Sequence, residues 1–137
     1  MPRVEGTDIL RASVDLAAER TSPRTARVLL RELMADDDEA TIATAELLIT
    51  ELVTNAIVHT GSGPHLDVEL FPDHLWVSVE DTDPTPPVRR RPQPTRPGGR
   101  GIVILEELSN HWGVRPTGAG KSVWFELDRA AVSVRGR

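Results

Sequence analysis

The sequence predicts an α+β protein, a two-layer sandwich whose sheet is mixed and mainly antiparallel. Three observations carry this. Residues 46–60, ELLITELVTNAIVHT, repeat their apolar positions with a helical period and run into Gly61, a natural stop. Residues 65–71 and 75–80 alternate apolar and polar side chains on either side of Pro72-Asp73-His74, the pattern of an antiparallel hairpin. Helical and extended segments are grouped along the chain rather than strictly alternating, the arrangement of α+β proteins.

The other elements follow in order. Residues 8–17 place Leu10, Ala12, Val14 and Leu16 on one side, which predicts a strand, with a short helix over 8–20 as the alternative. Ser22-Pro23 offers an N-cap and a first-turn proline for a helix over 24–34, with Val28, Leu29 and Leu33 among its apolar positions. Asp36-Asp37-Asp38-Glu39 reads as acids at the positive end of the next helix dipole rather than as a cation site. Residues 84–97 contain six prolines and no periodicity, which predicts an irregular lid over about 84–98. A helix over 102–110 follows Gly98-Gly99-Arg100-Gly101. Strands near 112–115 and 122–127 are joined by a glycine-rich turn at 117–120. No internal repeat is visible.

Size and composition narrow the classes. At 137 residues the chain is expected to form one domain, 1–137, large enough for a core and too small for two. Apolar content of 39% with 27% charged residues fits a soluble globular protein, and no uninterrupted apolar run is long enough to span a bilayer. No basic segment followed by an apolar stretch opens the sequence, so a cytoplasmic location is expected. The absence of cysteine excludes disulfides and thiolate metal sites. With a net charge of −5, no lysine-rich patch and no aromatic ladder, direct nucleic-acid binding is not expected. Four arginines (Arg89, Arg90, Arg91 and Arg96) nevertheless crowd the proline-rich segment.

Chemistry concentrates in three places. On the long helix, Ala45, Leu48, Ile49, Leu52, Val53 and Ala56 form a broad apolar arc. Glu51 and Asn55, four residues apart, stack on one stripe at its edge. A carboxylate and a carboxamide there either reach water at the helix rim or form the floor of a pocket that satisfies them. Asp81 ends a strand just before the chain loosens. It suits either a turn or a carboxylate that accepts an exocyclic amine such as that of adenine. Gly98-Gly99-Arg100-Gly101 opens a helix, where glycines permit close backbone approach and Arg100 adds a charge suited to phosphate; the other reading is a hinge. Gly118-Ala119-Gly120-Lys121-Ser122 ends like a phosphate-binding P-loop. Arg115 stands where that pattern needs glycine, and Val123-Trp124-Phe125 reads as a strand, so a hairpin turn is expected.

In this order and spacing the three segments resemble the nucleotide-binding boxes of the GHKL ATPase superfamily, with its Bergerat fold. Within it the chain is similar to the small bacterial anti-sigma-factor serine/threonine kinases, over roughly residues 8–128. The resemblance implies helices on one face of the sheet. It also implies ATP and Mg²⁺ as cofactors. Glu51 matches the acid that acts as base or water activator, and Asn55 the asparagine that ligates Mg²⁺. Asp81 matches the acid that reads the adenine amine. Gly99, Arg100 and Gly101 match the glycine box at the triphosphate. Thr54 and Ser122 match hydroxyl positions near the adenine or its water. Thr82-Asp83-Pro84-Thr85-Pro86-Pro87 departs from the family's glycines after the acid; proline stiffens the loop and removes backbone donors.

The function so implied is a serine/threonine protein kinase. It would phosphorylate a small anti-sigma-factor antagonist of the STAS type and sequester an RNA-polymerase sigma factor. A homodimer is compatible with the resemblance. The alternative is an ATP-dependent protein-binding module without useful turnover, which the altered loop after Asp81 favours. An isolated sensor-histidine-kinase catalytic domain is the weaker reading. The four histidines (His59, His65, His74, His111) are dispersed, and only His59 is expected near the pocket.

Overall fold

The computed structural model describes residues 3–4, 9–83 and 101–129. In chain order the elements are β1 (Arg3–Val4), β2 (Ile9–Asp15), α1 (Ser22–Leu33), α2 (Glu39–Thr60), β3 (His65–Leu70), β4 (His74–Asp81), α3 (Gly101–Leu108), β5 (His111–Pro116) and β6 (Lys121–Asp128). They form a six-stranded sheet in the order β1-β2-β3-β4-β6-β5. The expected lid over 84–98 lies outside the described residues.

Every described pairing is antiparallel. The connections explain this. Between β2 and β3 the chain crosses the sheet twice, out along α1 and back along α2, so β3 starts at the end where β2 stopped and runs against it. Between β4 and β5 a single helix, α3, returns the chain, so those two strands run the same way. They never touch, because β6 lies between them and opposes both. The mixed character expected of the sheet is thus confined to strand direction.

Local chemistry sets most boundaries. Residues 9–15 form a strand, whose inward Leu10, Ala12 and Val14 face Leu70, Val68 and Leu66 of β3. Ser22 is the first helical residue of α1 rather than its cap. Thr21 occupies the cap position, Pro23 falls in the first turn, and the Ser22 hydroxyl donates to the Ala17 carbonyl at 2.6 Å. The long helix ends as expected, with Gly61 in the left-handed region at φ 69° and its N–H bonded to the Ile57 carbonyl. Its start differs in detail. Asp38 stands at the cap without a side-chain bond and only Glu39 lies in the first turn. Asp37 instead faces Arg129, whose Nη2 and Nε donate to its two oxygens at 2.6 and 2.8 Å.

The three helices cover one face of the sheet, as the resemblance implied. Leu66, Val68, Leu75, Val77, Val79 and Phe125 from the strands meet Ala26 and Leu30 of α1, Leu48, Ile49 and Val53 of α2, and Leu105 of α3, all buried. By length and hydropathy α2 alone among the described helices would pass for a membrane span, against expectation. Its apolar residues are consumed by this core. Arg31 ties α1 to α2 by bonding Glu39 at 2.9 Å and Glu46 at 3.0 Å.

The other face of the sheet is polar, because strand side chains alternate. Here His65 Nδ1 meets Asp15 at 2.6 Å, and Nε2 lies 3.0 Å from the Ser13 hydroxyl and 3.3 Å from Asp67. The bond to Asp15, assisted by the charge of Asp67, holds the His65 imidazole above its ordinary value of 6.5. A group raised on folding stabilises the fold fully below its unfolded value and loses that contribution as pH rises through the folded one. His65→Gln is therefore expected to cost most near pH 5–6 and least at alkaline pH. Asp15 is exposed, so the cost stays under about 1 kcal/mol. Thermal melts of both proteins across pH 5–9 check this; a gap that does not vary with pH would exclude the pair as its source.

Candidate active site

At the end of the sheet where β4 stops, α2, α3, β4 and β6 enclose a cleft. The helix α2 supplies Leu52, Asn55, Ala56 and His59, which recur at three- and four-residue spacing and so share one face. β4 supplies Val79 and Asp81, β6 supplies Lys121 and Val123, and α3 adds Ile102 and Leu105. The cleft is apolar along its walls and carries a few polar groups, the usual make-up of a small-molecule site.

Asn55 and Asp81 therefore come together from segments far apart in the chain, as expected. Glu51 lies one turn before Asn55 on α2 and is 7% exposed, so it is a pocket residue and not a rim carboxylate. Asn55 Oδ1 is buried and has no hydrogen-bond partner among the described residues. An oxygen left so is costly unless a ligand satisfies it. It suits a hard cation, which takes oxygen donors. Among the described residues no cluster of three or more His, Asp or Glu side chains can hold a metal, so a cation on Asn55 would need oxygens from a ligand such as a phosphate chain.

Asp81 is buried and fully engaged on one side. Its Oδ1 accepts from the Asp83 backbone N–H at 2.9 Å and from Lys121 Nζ at 3.2 Å; Oδ2 accepts from the same ammonium at 3.1 Å. Lys121 also donates to the Asp83 carbonyl at 2.9 Å. The two side chains are 5% and 6% exposed. Gly120 makes this approach possible: a Cβ there would stand 2.0 Å from the Asp81 carbonyl oxygen, a contact no side chain survives.

The remaining expected site residues fall elsewhere. Ser122 faces the opposite side of the sheet, where its hydroxyl and that of Ser78 are hydrogen-bonded in a buried pair. This corrects its expected place near the base. Lys121 and Val123 occupy the inward positions because strand side chains alternate, and Lys121 is the functional residue the sequence reading missed. Thr54 lines a second cavity, with Glu19, Arg20 and Val58, on another side of α2 from Asn55. Gly101 opens α3 beside the cleft; Gly99 and Arg100 lie outside the described residues. His59 lines the cleft, as its position in the sequence implied.

Comparison with known proteins agrees with this geometry. The family model described as histidine kinase-like ATPase domain matches residues 16–127, most of the chain and every element that builds the cleft. Among solved structures, the RsbU and RsbW domains of Rv1364c from Mycobacterium tuberculosis superpose with a TM-score of 0.68 at 21% identity, over 88% of this chain. The chain spans 32% of that structure's length, and at this identity the likeness is one of fold. No curated protein sequence matches.

Proposed function

The chain belongs to the histidine kinase-like ATPase domain family, and we propose that it is a serine/threonine protein kinase using MgATP. Its substrate would be a small STAS-type antagonist and its second partner a sigma factor, held and released in the control of transcription, in the cytoplasm. The observation that carries the catalytic part is the Glu51–Asn55 pair: a buried carboxylate one helical turn from a buried amide oxygen that lacks a partner among the described residues, beside a cleft with an acid at its far wall.

Each residue then has a task. Asp81 accepts the exocyclic amine of adenine between the apolar walls of Val79, Val123 and Leu105. Asn55 Oδ1 holds Mg²⁺ together with phosphate oxygens; when bound, the ion neutralises charge on the phosphates. Glu51 orients the incoming hydroxyl and takes its proton. Arg100 and Gly101, at the start of α3, face the phosphates. Thr54, in its separate cavity, is not needed for this chemistry. Phosphoryl transfer demands mainly positioning and charge neutralisation, which this set supplies without a covalent intermediate.

Calorimetric titration with ATP, in magnesium and then in EDTA, tests the binding step. Tighter binding in magnesium is expected, and Asn55→Ala should lower the affinity in magnesium about tenfold or more while leaving that in EDTA unchanged. Equal loss in both media would remove the cation from Asn55. Incubation with a STAS-type antagonist and separation of its phosphorylated form then tests transfer. ATP binding without any phosphorylated partner would favour the second reading, an ATP-dependent binding module. Thr82-Asp83-Pro84, where the family's wider pattern has glycines, supports that alternative.

A further inference from the structure

We propose that Lys121 is a positioning residue that sets which purine the cleft accepts. The inference rests on the reading of Asp81 as the base-reading acid and adds what makes that acid selective.

The argument is a count of donors and acceptors. An ammonium has three protons and no acceptor; a carboxylate has about four lone-pair positions. Lys121 has three acceptors within reach, Asp81 Oδ1, Asp81 Oδ2 and the Asp83 carbonyl, at 3.2, 3.1 and 2.9 Å. Its protons are used up, so it offers no donor to a ligand. Asp81 Oδ1 already accepts from Lys121 and from the Asp83 N–H, and Oδ2 accepts from Lys121. Among the described residues one lone pair stays open, on Oδ2. With its cation beside it the buried carboxyl stays an anion that only accepts.

Such a position takes a 6-amino purine, whose exocyclic N–H donates to Oδ2. It rejects a 6-oxo purine, whose carbonyl would set one acceptor against another with no proton between them. A lysine that merely filled space would not discriminate. Without it, Asp81 would be a buried carboxyl lacking a counter-charge, which takes up a proton rather than stay ionised. A protonated Asp81 donates as well as accepts, so the distinction between amino and oxo bases collapses. The other titratable side chain lining the cleft is His59 from α2; α3 contributes only Ile102 and Leu105.

The test compares ATP with inosine triphosphate, which carries oxygen in place of the 6-amino group, by calorimetry at pH 7. The wild type is expected to bind ATP at least about 100-fold more tightly. In Lys121→Met the ratio should fall to within about tenfold, mainly because inosine triphosphate gains. His59→Gln should leave the wild-type ratio unchanged. A Lys121→Met protein that weakens both nucleotides equally and keeps the ratio would overturn the proposal, since that is the mark of a structural role. Should Lys121→Met fail to fold, Lys121→Gln, neutral and of similar reach, takes its place. Should both unfold, equal binding of the two nucleotides by the wild type would overturn the proposal, and a 100-fold preference would sustain it. Failure of the wild type to bind either nucleotide would instead sink the assignment of the cleft as an ATP site.

Discussion

Glu51→Gln is expected to slow phosphoryl transfer from ATP by roughly 10²–10⁴-fold, the usual contribution of a positioned general base. ATP affinity should stay within about twofold of wild type, because the proposed role touches the incoming hydroxyl and not the nucleotide. The thermal midpoint should hold or rise. Glu51 is 7% exposed on a helix packed into the core, and a neutral amide of the same shape is cheaper to bury than a carboxylate. Loss of rate without loss of stability is the signature of a side chain kept for chemistry rather than for folding. Single-turnover transfer with labelled ATP and a STAS-type antagonist gives the rate, and a melt of the same sample gives the stability. Wild-type transfer by Glu51→Gln would end the assignment of Glu51 as base. A fall in rate and affinity together would point to a misplaced nucleotide instead.

Asp37→Ala is expected to cost about 3–5 kcal/mol of folding stability, the range for removing one partner of a buried ion pair. Asp37 and Arg129 side chains are 1% and 6% exposed, and the guanidinium engages both carboxylate oxygens while also donating to the Phe71 carbonyl. Without Asp37, Arg129 would keep a buried charge with no carboxylate facing it. The pair fastens the end of β6 to the α1–α2 connection, so its loss loosens the sheet edge against the helical layer. Urea unfolding measures the cost. The double replacement Asp37→Leu/Arg129→Met should recover much of it, because the penalty comes from the orphaned charge rather than from a missing attraction. A single-mutant cost under about 1 kcal/mol would mean that solvent reaches the pair.

Much of this architecture is readable without coordinates, and for a common reason. The helix over 46–60, its Gly61 stop, the hairpin around Pro72-Asp73-His74 and the helix after Gly101 are signalled by repeats of two or three to four residues within a single segment. The same periodicity puts Glu51 and Asn55 on one stripe, and the burial of Glu51 settles whether that stripe meets water. Where the reading slipped, the register of a strand was at issue. Taking 117–120 as the whole turn started the last strand at Ser122 and drew attention to its hydroxyl. Counting back by twos from Leu127 through Phe125 and Val123 reaches Lys121, so the inward lysine was available to the alternation and was obscured by its place in a glycine-rich turn. In the same way Asp36-Asp37-Asp38-Glu39 reads as a run of equivalent acids, although one of its members is tied to Arg129.

Local periodicity thus accounts for the elements, the stripe on the long helix and the acid at the end of β4, since each is a property of neighbours in sequence. The pairings of Asp81 with Lys121 and of Asp37 with Arg129 are of another kind. They join residues 40 and 92 positions apart, and no short-range pattern specifies which lysine or arginine a carboxylate will meet. Antiparallel pairing of β4 with β6 sets Asp81 directly opposite Lys121, and burial then makes the opposite charge obligatory, because a lone carboxylate there would be too costly to desolvate. Chain order specified the acid; the fold supplied its counter-ion, and with it the single acceptor position left to a ligand.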